Sequence, residues 1–218
     1  LRANRKLYES LFDSGPDQLD KVVRWTNFAN WLTGIKMPPP KVHIAPSLLV
    51  EKTKLKTSDV FIQPFSAVAY KQSPVDLYRR IIEAFPEGTS VAITGTYSDL
   101  DANPQFKKLL DLPGVTFNSA IFEKLVSDLR AAKLMISVDT AAMHLAAAIG
   151  TPTLCLASAA FVGEIVPYAP EVMPDNLHVI YKSMYCEGGL GKCHLELVDN
   201  MYPCVAALNE DLAISKAL

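Results

Sequence analysis

Asp139 and Thr140 directly follow the short apolar run Met135–Val138, and an Ala-rich stretch begins at once with His144 one turn inside it. A strand that ends in polar residues and passes into a helix start suits an anion. The first helical N–H groups lack intrahelical partners, and the helix dipole presents its positive end there. In an open α/β fold, ligands bind at such carboxyl ends of strands. Taken alone, the same residues also describe a buried strand with an Asp N-cap and a histidine in the core. Two further stretches carry related chemistry. Pro64–Lys71 offers the Ser66 hydroxyl and the Lys71 ammonium, a donor and a point cation suited to a diphosphate. Thr94–Asp99 offers Gly95, which permits close backbone approach, with Tyr97 and Asp99 as partners for a base or ribose. A solvated lysine and a plain turn explain these two stretches when each is read by itself. Neither the GxGxxG nor the GxxxxGK[ST] pattern occurs in the chain.

These loops work together only if the fold sets them side by side. From Asp59 onward, short apolar runs alternate with helical ones. Strands are expected at Val60–Gln63, Val91–Thr94, Val115–Phe117, Leu134–Val138, Thr153–Leu156 and His178–Tyr181. Helices are expected at Pro74–Phe85, Asn103–Leu110, Ile121–Ala132, Ala141–Ile149 and Cys204–Lys216. The alternation specifies an α/β, Rossmann-like fold: a parallel sheet of about six strands with helices on both faces. Right-handed crossovers leave the carboxyl ends of its strands on one rim. This domain spans residues 58–218, and residues 1–57 form a helical segment with a Pro-rich linker. Within that segment Leu19, Val22, Val23, Trp25, Phe28, Trp31 and Leu32 recur close to a helical period, so one face should pack on something. Gly34 reads as the helix stop and Pro38–Pro40 as a stiff extended stretch. The segment either folds back on the main core or belongs with a neighbouring domain.

Composition narrows the class. The chain has 218 residues, half of them apolar and 20% charged, with a net charge of −2. That is ordinary globular usage, with no basic stripe to track a nucleic acid. No apolar stretch reaches membrane-spanning length, since Thr153–Val166 is broken by Gly163 and Glu164. The start, Leu1–Lys6, is polar and unlike a signal peptide; as it lacks Met, the chain is expected to be trimmed or to begin inside a longer protein. Of the four cysteines, Cys155 reads as a small core residue. Cys186, Cys193 and Cys204, with His194, form a conceivable Cys3His metal site. Their spacings of six and ten residues lack CxxC knuckles, so reduced thiols without metal are the expectation.

In order and spacing, the three loops resemble the C-terminal, donor-binding half of a GT-B glycosyltransferase of family 9, the lipopolysaccharide heptosyltransferases. The most specific match is Val138-Asp139-Thr140-Ala141-Ala142-Met143-His144 with Gly150-Thr151-Pro152 after it, similar to the family's Asp-Ser/Thr-Gly-x-x-His and following Thr-Pro. Lys71-Gln72-Ser73-Pro74 is similar to the family's Lys-x-Trp-Pro, with Ser66 where a hydroxyl residue commonly precedes the Lys. The strand ending at Thr94-Gly95 is the third match, and together they cover about residues 58–215. The chain departs from the family at Ala141, where Gly is usual, and at Ser73, where Trp is common. It departs again at Ala157-Ser158-Ala159, which replaces a Gly-containing loop.

The resemblance implies an enzyme that transfers a sugar from a nucleotide-sugar donor such as ADP-heptose to a lipopolysaccharide or other glycan acceptor, with inversion and without a metal or other cofactor. Ser66 and Lys71 would contact the diphosphate. Asp139, Thr140 and Ala141 would hold sugar and phosphate at the helix start, His144 would support that loop, and Gly95 and Tyr97 would border the donor. It further implies that the catalytic base lies outside this chain, on an N-terminal acceptor domain. The expected location is cytoplasmic, peripheral to the inner membrane face, with no nucleic-acid partner. The alternative is a non-catalytic nucleotide-sugar-binding or assembly module that keeps the half-fold. A different GT-B enzyme, such as an epimerase, would place a Glu-rich donor loop where Asp139-Thr140 stands.

Overall fold

The structure, a computed structural model, describes residues 10–49, 58–119, 121–191 and 193–218. Six parallel strands form one sheet: β1 (Val60–Gln63), β2 (Val91–Thr94), β3 (Val115–Asn118), β4 (Leu134–Val138), β5 (Thr153–Leu156) and β6 (Leu177–Ile180), in the order β3-β2-β1-β4-β5-β6. The central strands are mostly apolar because both faces are covered, as parallel sheets require. Val60, Ile62, Ile93, Ile136 and Leu154 join one core cluster, and Phe61, Ala92 and Met135 join another on the opposite face. That alternation is the two-residue period of a strand.

Helices pack on both faces. On the first lies α2 (Val75–Ala84), which buries Leu77, Tyr78, Ile81 and Ile82 as one stripe. It is joined there by α6 (Pro203–Ala206) and α7 (Glu210–Ala217), whose Cys204, Val205, Ala213 and Ala217 belong to the same cluster. On the opposite face lie α4 (Phe122–Ala131) and α5 (Ala141–Ala148), through Leu125, Leu129, Ala142 and Ala146. The order of the sheet reverses between β1 and β4, where Ile62 pairs with Ile136 and Gln63 with Ser137. The loops that leave these two strands therefore start side by side, at the switch point where doubly wound folds bind ligands.

Several elements differ from the sequence expectation. The stretch after β2 is helical, α3 (Tyr97–Ala102), because Thr96 and Asp99 form a reciprocal capping box. Pro104–Asp111 is a 3₁₀ helix rather than an α-helix, and its buried residues Phe106 and Leu109 fall three apart, the period of that turn. The single closing helix is two, since Asn209 caps α7 by accepting from the Leu212 N–H.

Ahead of the sheet, α1 (Lys21–Thr33) starts at Asp20, whose carboxylate accepts from the Val22 and Val23 N–H groups, and ends on Gly34 at φ 72°. No residue of α1 is buried; its aromatic face is completed by Phe12, Trp25, Phe28 and Trp31 packing on one another. Polar staples hold it to the body: Ala169 N–H to Asp20 at 2.8 Å and Lys21 to Glu164 at 2.7 Å. Further on, Val42 and Ile44 donate to the Val172 and Ala148 carbonyls. The face expected to pack on something carries this aromatic cluster, and polar tethers fix the helix to the body. Leu1–Lys6 and the end of the expected linker, 50–57, lie outside the described residues. Among the described residues no helix is long and apolar enough to cross a membrane.

Candidate functional site

The rim at the switch point is closed by one ion pair. Lys71 ends a 3₁₀ turn (Ala69–Lys71) in the loop after β1 and lies buried, its ammonium against the Asp139 carboxylate beyond β4. It also donates to the Asp139 carbonyl at 3.2 Å and sits 4.9 Å from the centre of the Phe161 ring. Phe161 closes a 3₁₀ turn (Ala159–Phe161) after β5, so three strand ends converge on one cation. Lys71 was expected as a point cation on the rim; the structure instead gives it a carboxylate, a carbonyl and an aromatic face.

Read alone, Asp139 also fits a helix N-cap, a role it does not take. Thr140 takes the N-cap position of α5 without a capping side-chain bond, and its hydroxyl lies 3.2 Å from that of Ser137. Asp139 is thereby free to turn toward Lys71. Burial lifts the Asp139 carboxyl above its ordinary range, opposed by Lys71 and by the neighbouring Ser158 hydroxyl. Its second oxygen, Oδ2, and the Ser158 Oγ have no hydrogen-bond partner among the described residues. Cys155, fully buried under the pair, has its thiol pushed well up by burial and by Asp139, so it is a protonated core residue.

His144 lies one turn into α5 and hydrogen-bonds through Nδ1 to the Tyr168 hydroxyl. Burial, with Lys71 adding to it, lowers its pKa, so the imidazole is neutral near pH 7. Burial raises the Tyr168 phenol, which keeps its proton. Asp20, bound to the Ala169 N–H, ties α1 to the loop that carries Tyr168. Ala141, the first residue of α5, is exposed.

The other expected residues are held locally. Ser66 Oγ accepts from the Val68 N–H at 3.2 Å, a turn within its own loop. Gly95 is required by packing: a Cβ there would stand 2.6 Å from the Phe65 ring. Asp99 is committed to the α3 capping box and Tyr97, 67% exposed, packs on Phe117 with ring centres 5.3 Å apart. The structure therefore joins Lys71 to Asp139 and sets Gly95 and Tyr97 on the β2–β3 side of the rim. Sequence reading missed Phe161, Tyr168 and Ser158; Ser158 alone carried a signal, its place just past a strand end.

The cysteines form a separate group. Cys186, Cys193 and Cys204 line a cavity of about 10 Å³ with Ala159, Gly189, Gly191 and Tyr202, while His194 is exposed and does not line it. Burial raises the Cys186 and Cys204 thiols, and neighbouring thiols add to it. All four cysteines are free, and among the described residues no three His, Cys, Asp or Glu side chains are grouped to hold a metal ion.

Residues 5–174 match the model of glycosyltransferase family 9 (heptosyltransferase). A search of curated protein sequences gave no match. Among solved structures, a family 9 glycosyl transferase from Veillonella parvula DSM 2008 is 17% identical with a TM-score of 0.58, over 81% of this chain and 52% of that one. An Escherichia coli heptosyltransferase with ADP-2-deoxy-2-fluoro heptose is 18% identical with a TM-score of 0.58, over 82% and 54%. The Escherichia coli ADP-heptose lps heptosyltransferase II is 15% identical with a TM-score of 0.55, over 84% and 54%. At these identities the likeness is one of fold, and the chain spans about half the length of the structures it matches.

Proposed function

We propose that this chain, which belongs to glycosyltransferase family 9, is the half of a glycosyltransferase that binds a nucleotide-sugar donor at the β1–β4 switch point. The observation that carries the reading is the Lys71–Asp139 pair, a buried cation on the rim where the loops after two adjacent strands meet. A diphosphate brings more negative charge than one carboxylate and displaces Asp139 as the partner of Lys71. The Phe161 ring moves aside in the same step, and the N–H groups at the start of α5 face the incoming phosphate. Ser66, Gly95, Tyr97, Thr140, Ala141 and His144 border the donor, and neutral His144 adds no charge of its own. The donor class is an ADP-sugar, since the Escherichia coli relative was solved with ADP-2-deoxy-2-fluoro heptose.

In the transfer itself an acceptor hydroxyl oxygen attacks the anomeric carbon and the bond from that carbon to the phosphate oxygen breaks. The nucleoside diphosphate leaves with the electron pair, and the hydroxyl proton passes to a carboxylate base. Lys71 and the α5 dipole stabilise the charge that gathers on the leaving group, so no metal is called on. Attack from the face opposite the leaving group inverts the anomeric centre. The base and the glycan-acceptor site, for lipopolysaccharide or another glycan, belong to an N-terminal domain outside this half, and the assembled enzyme works at the cytoplasmic membrane face. Ala141 and Ser73, where the family motif has Gly and Trp, favour a second reading, a donor-binding module without transfer. Isothermal titration with ADP, ADP-heptose, UDP-sugars and GDP-sugars tests binding. Preference for ADP-heptose is the expected result, and no heat from any of them at millimolar concentration overturns the reading.

A further inference from the structure

Ser158 is 1% exposed, follows β5 by two residues and, among the described residues, makes no hydrogen bond of normal geometry through its hydroxyl. It opens the 3₁₀ turn Ala159–Phe161 without capping it. The turn is fixed from behind by the C-terminal segment: Ala159 N–H reaches Cys204 Sγ at 3.4 Å, and Gly188 and Leu190 donate to the Ala159 and Ala160 carbonyls at 2.9 and 2.7 Å. Asp139 Oδ2 is also buried and, among the described residues, outside any hydrogen bond of normal geometry, while Oδ1 is engaged by Lys71; the Ser158 hydroxyl is close enough to the carboxyl to lower its pKa. Buried polar atoms are nearly always paired, because each orphan forfeits the hydrogen bonds it made in water. Two adjacent orphans, one an acceptor and one both donor and acceptor, match the needs of neighbouring sugar hydroxyls. Both are set at strand ends next to the cation that would hold the donor phosphate.

We infer that Ser158 is a donor-sugar contact and a specificity-determining residue, which with Asp139 Oδ2 binds adjacent hydroxyls of the sugar in a nucleoside-diphosphate sugar. The inference rests on the donor-binding reading of the Lys71 site. Both oxygens stand at strand ends beside the Lys71 site, so sugar recognition follows phosphate binding there. Ser158 then discriminates the sugar and leaves the nucleotide untouched.

The experiment is isothermal titration of the full chain and its Ser158→Ala and Ser158→Cys variants with ADP and with ADP-heptose, each variant also melted thermally. The wild type is expected to bind both, ADP-heptose the more tightly. Each variant should bind ADP within twofold of the wild type and ADP-heptose five- to tenfold more weakly, the effect of one lost hydrogen bond. Ser158→Ala should melt no lower than the wild type, because the hydroxyl makes no hydrogen bond of normal geometry among the described residues. Equal losses for ADP and ADP-heptose, unchanged affinity for both, or a lowered melting temperature overturn the assignment. A wild type that binds neither ligand removes the donor reading itself and the inference with it, a result seen before any variant is compared.

Discussion

The two sides of the rim handle polar residues at strand ends in opposite ways. After β2, Thr96 and Asp99 satisfy each other within four residues, and Tyr97 is left in solvent against Phe117. At the β1–β4–β5 side, Lys71 and Asp139 come from positions 68 apart and meet in the interior. Local closure is complete: the capping box uses the Thr96 and Asp99 oxygens and stabilises α3. Long-range closure is incomplete, since Asp139 Oδ2 and Ser158 Oγ remain unpartnered. A site that binds a ligand needs such spare capacity, so the difference directs attention to the β1–β4–β5 side and reduces the β2 loop to a wall.

The sharpest way to break this comparison is Lys71→Ala. It leaves Asp139 buried without its cation and should lower the unfolding free energy by about 3–5 kcal/mol. A Lys71→Met, Asp139→Leu double variant should recover most of that loss, because both desolvated charges are gone. Urea denaturation of the three proteins measures both effects, and a single-variant loss below about 1 kcal/mol would show an open pair in solution. On the other side, Gly95→Ala forces a Cβ against the buried Phe65 ring and should cost about 1–3 kcal/mol in the same assay. Thr96→Ala removes one half of the capping box and should cost about 1 kcal/mol while leaving ADP affinity unchanged. Loss of ADP binding in that variant would restore the β2 loop as a direct contact.

The smallest effect concerns pH. The folded-state pKa of His144 lies below the ordinary value of 6.5, so the unfolded chain takes up the proton more readily than the folded one. Its stabilising contribution is complete above about pH 6.5 and is lost as pH falls through the folded pKa. Thermal melts between pH 5 and 7.5 should therefore fall on the acid side, and His144→Gln should flatten part of that slope. An unchanged slope would mean that the imidazole is protonated without cost.

Most of the sheet was legible in the chain because strands buried on both faces must be continuous apolar runs, and Val60–Ile62, Val91–Ile93 and Leu154–Leu156 are. The helix at Tyr97 is legible too, through the capping-box pattern Thr96-x-x-Asp99. The break near Asn209 was harder to see, since a helical period runs across it.

The sequence by itself determined the α/β class, the alternation that lines up the strand ends and the polar residues at those ends. These follow from periodicity and from nearest-neighbour backbone chemistry. Only the tertiary structure decided that Lys71 is buried rather than solvated, that Asp139 faces it instead of capping α5, and that Phe161 and Ser158 complete the group. The physical reason is separation along the chain. Burial and charge pairing between residues 68 apart are set by how β1 and β4 lie together, which no local pattern specifies.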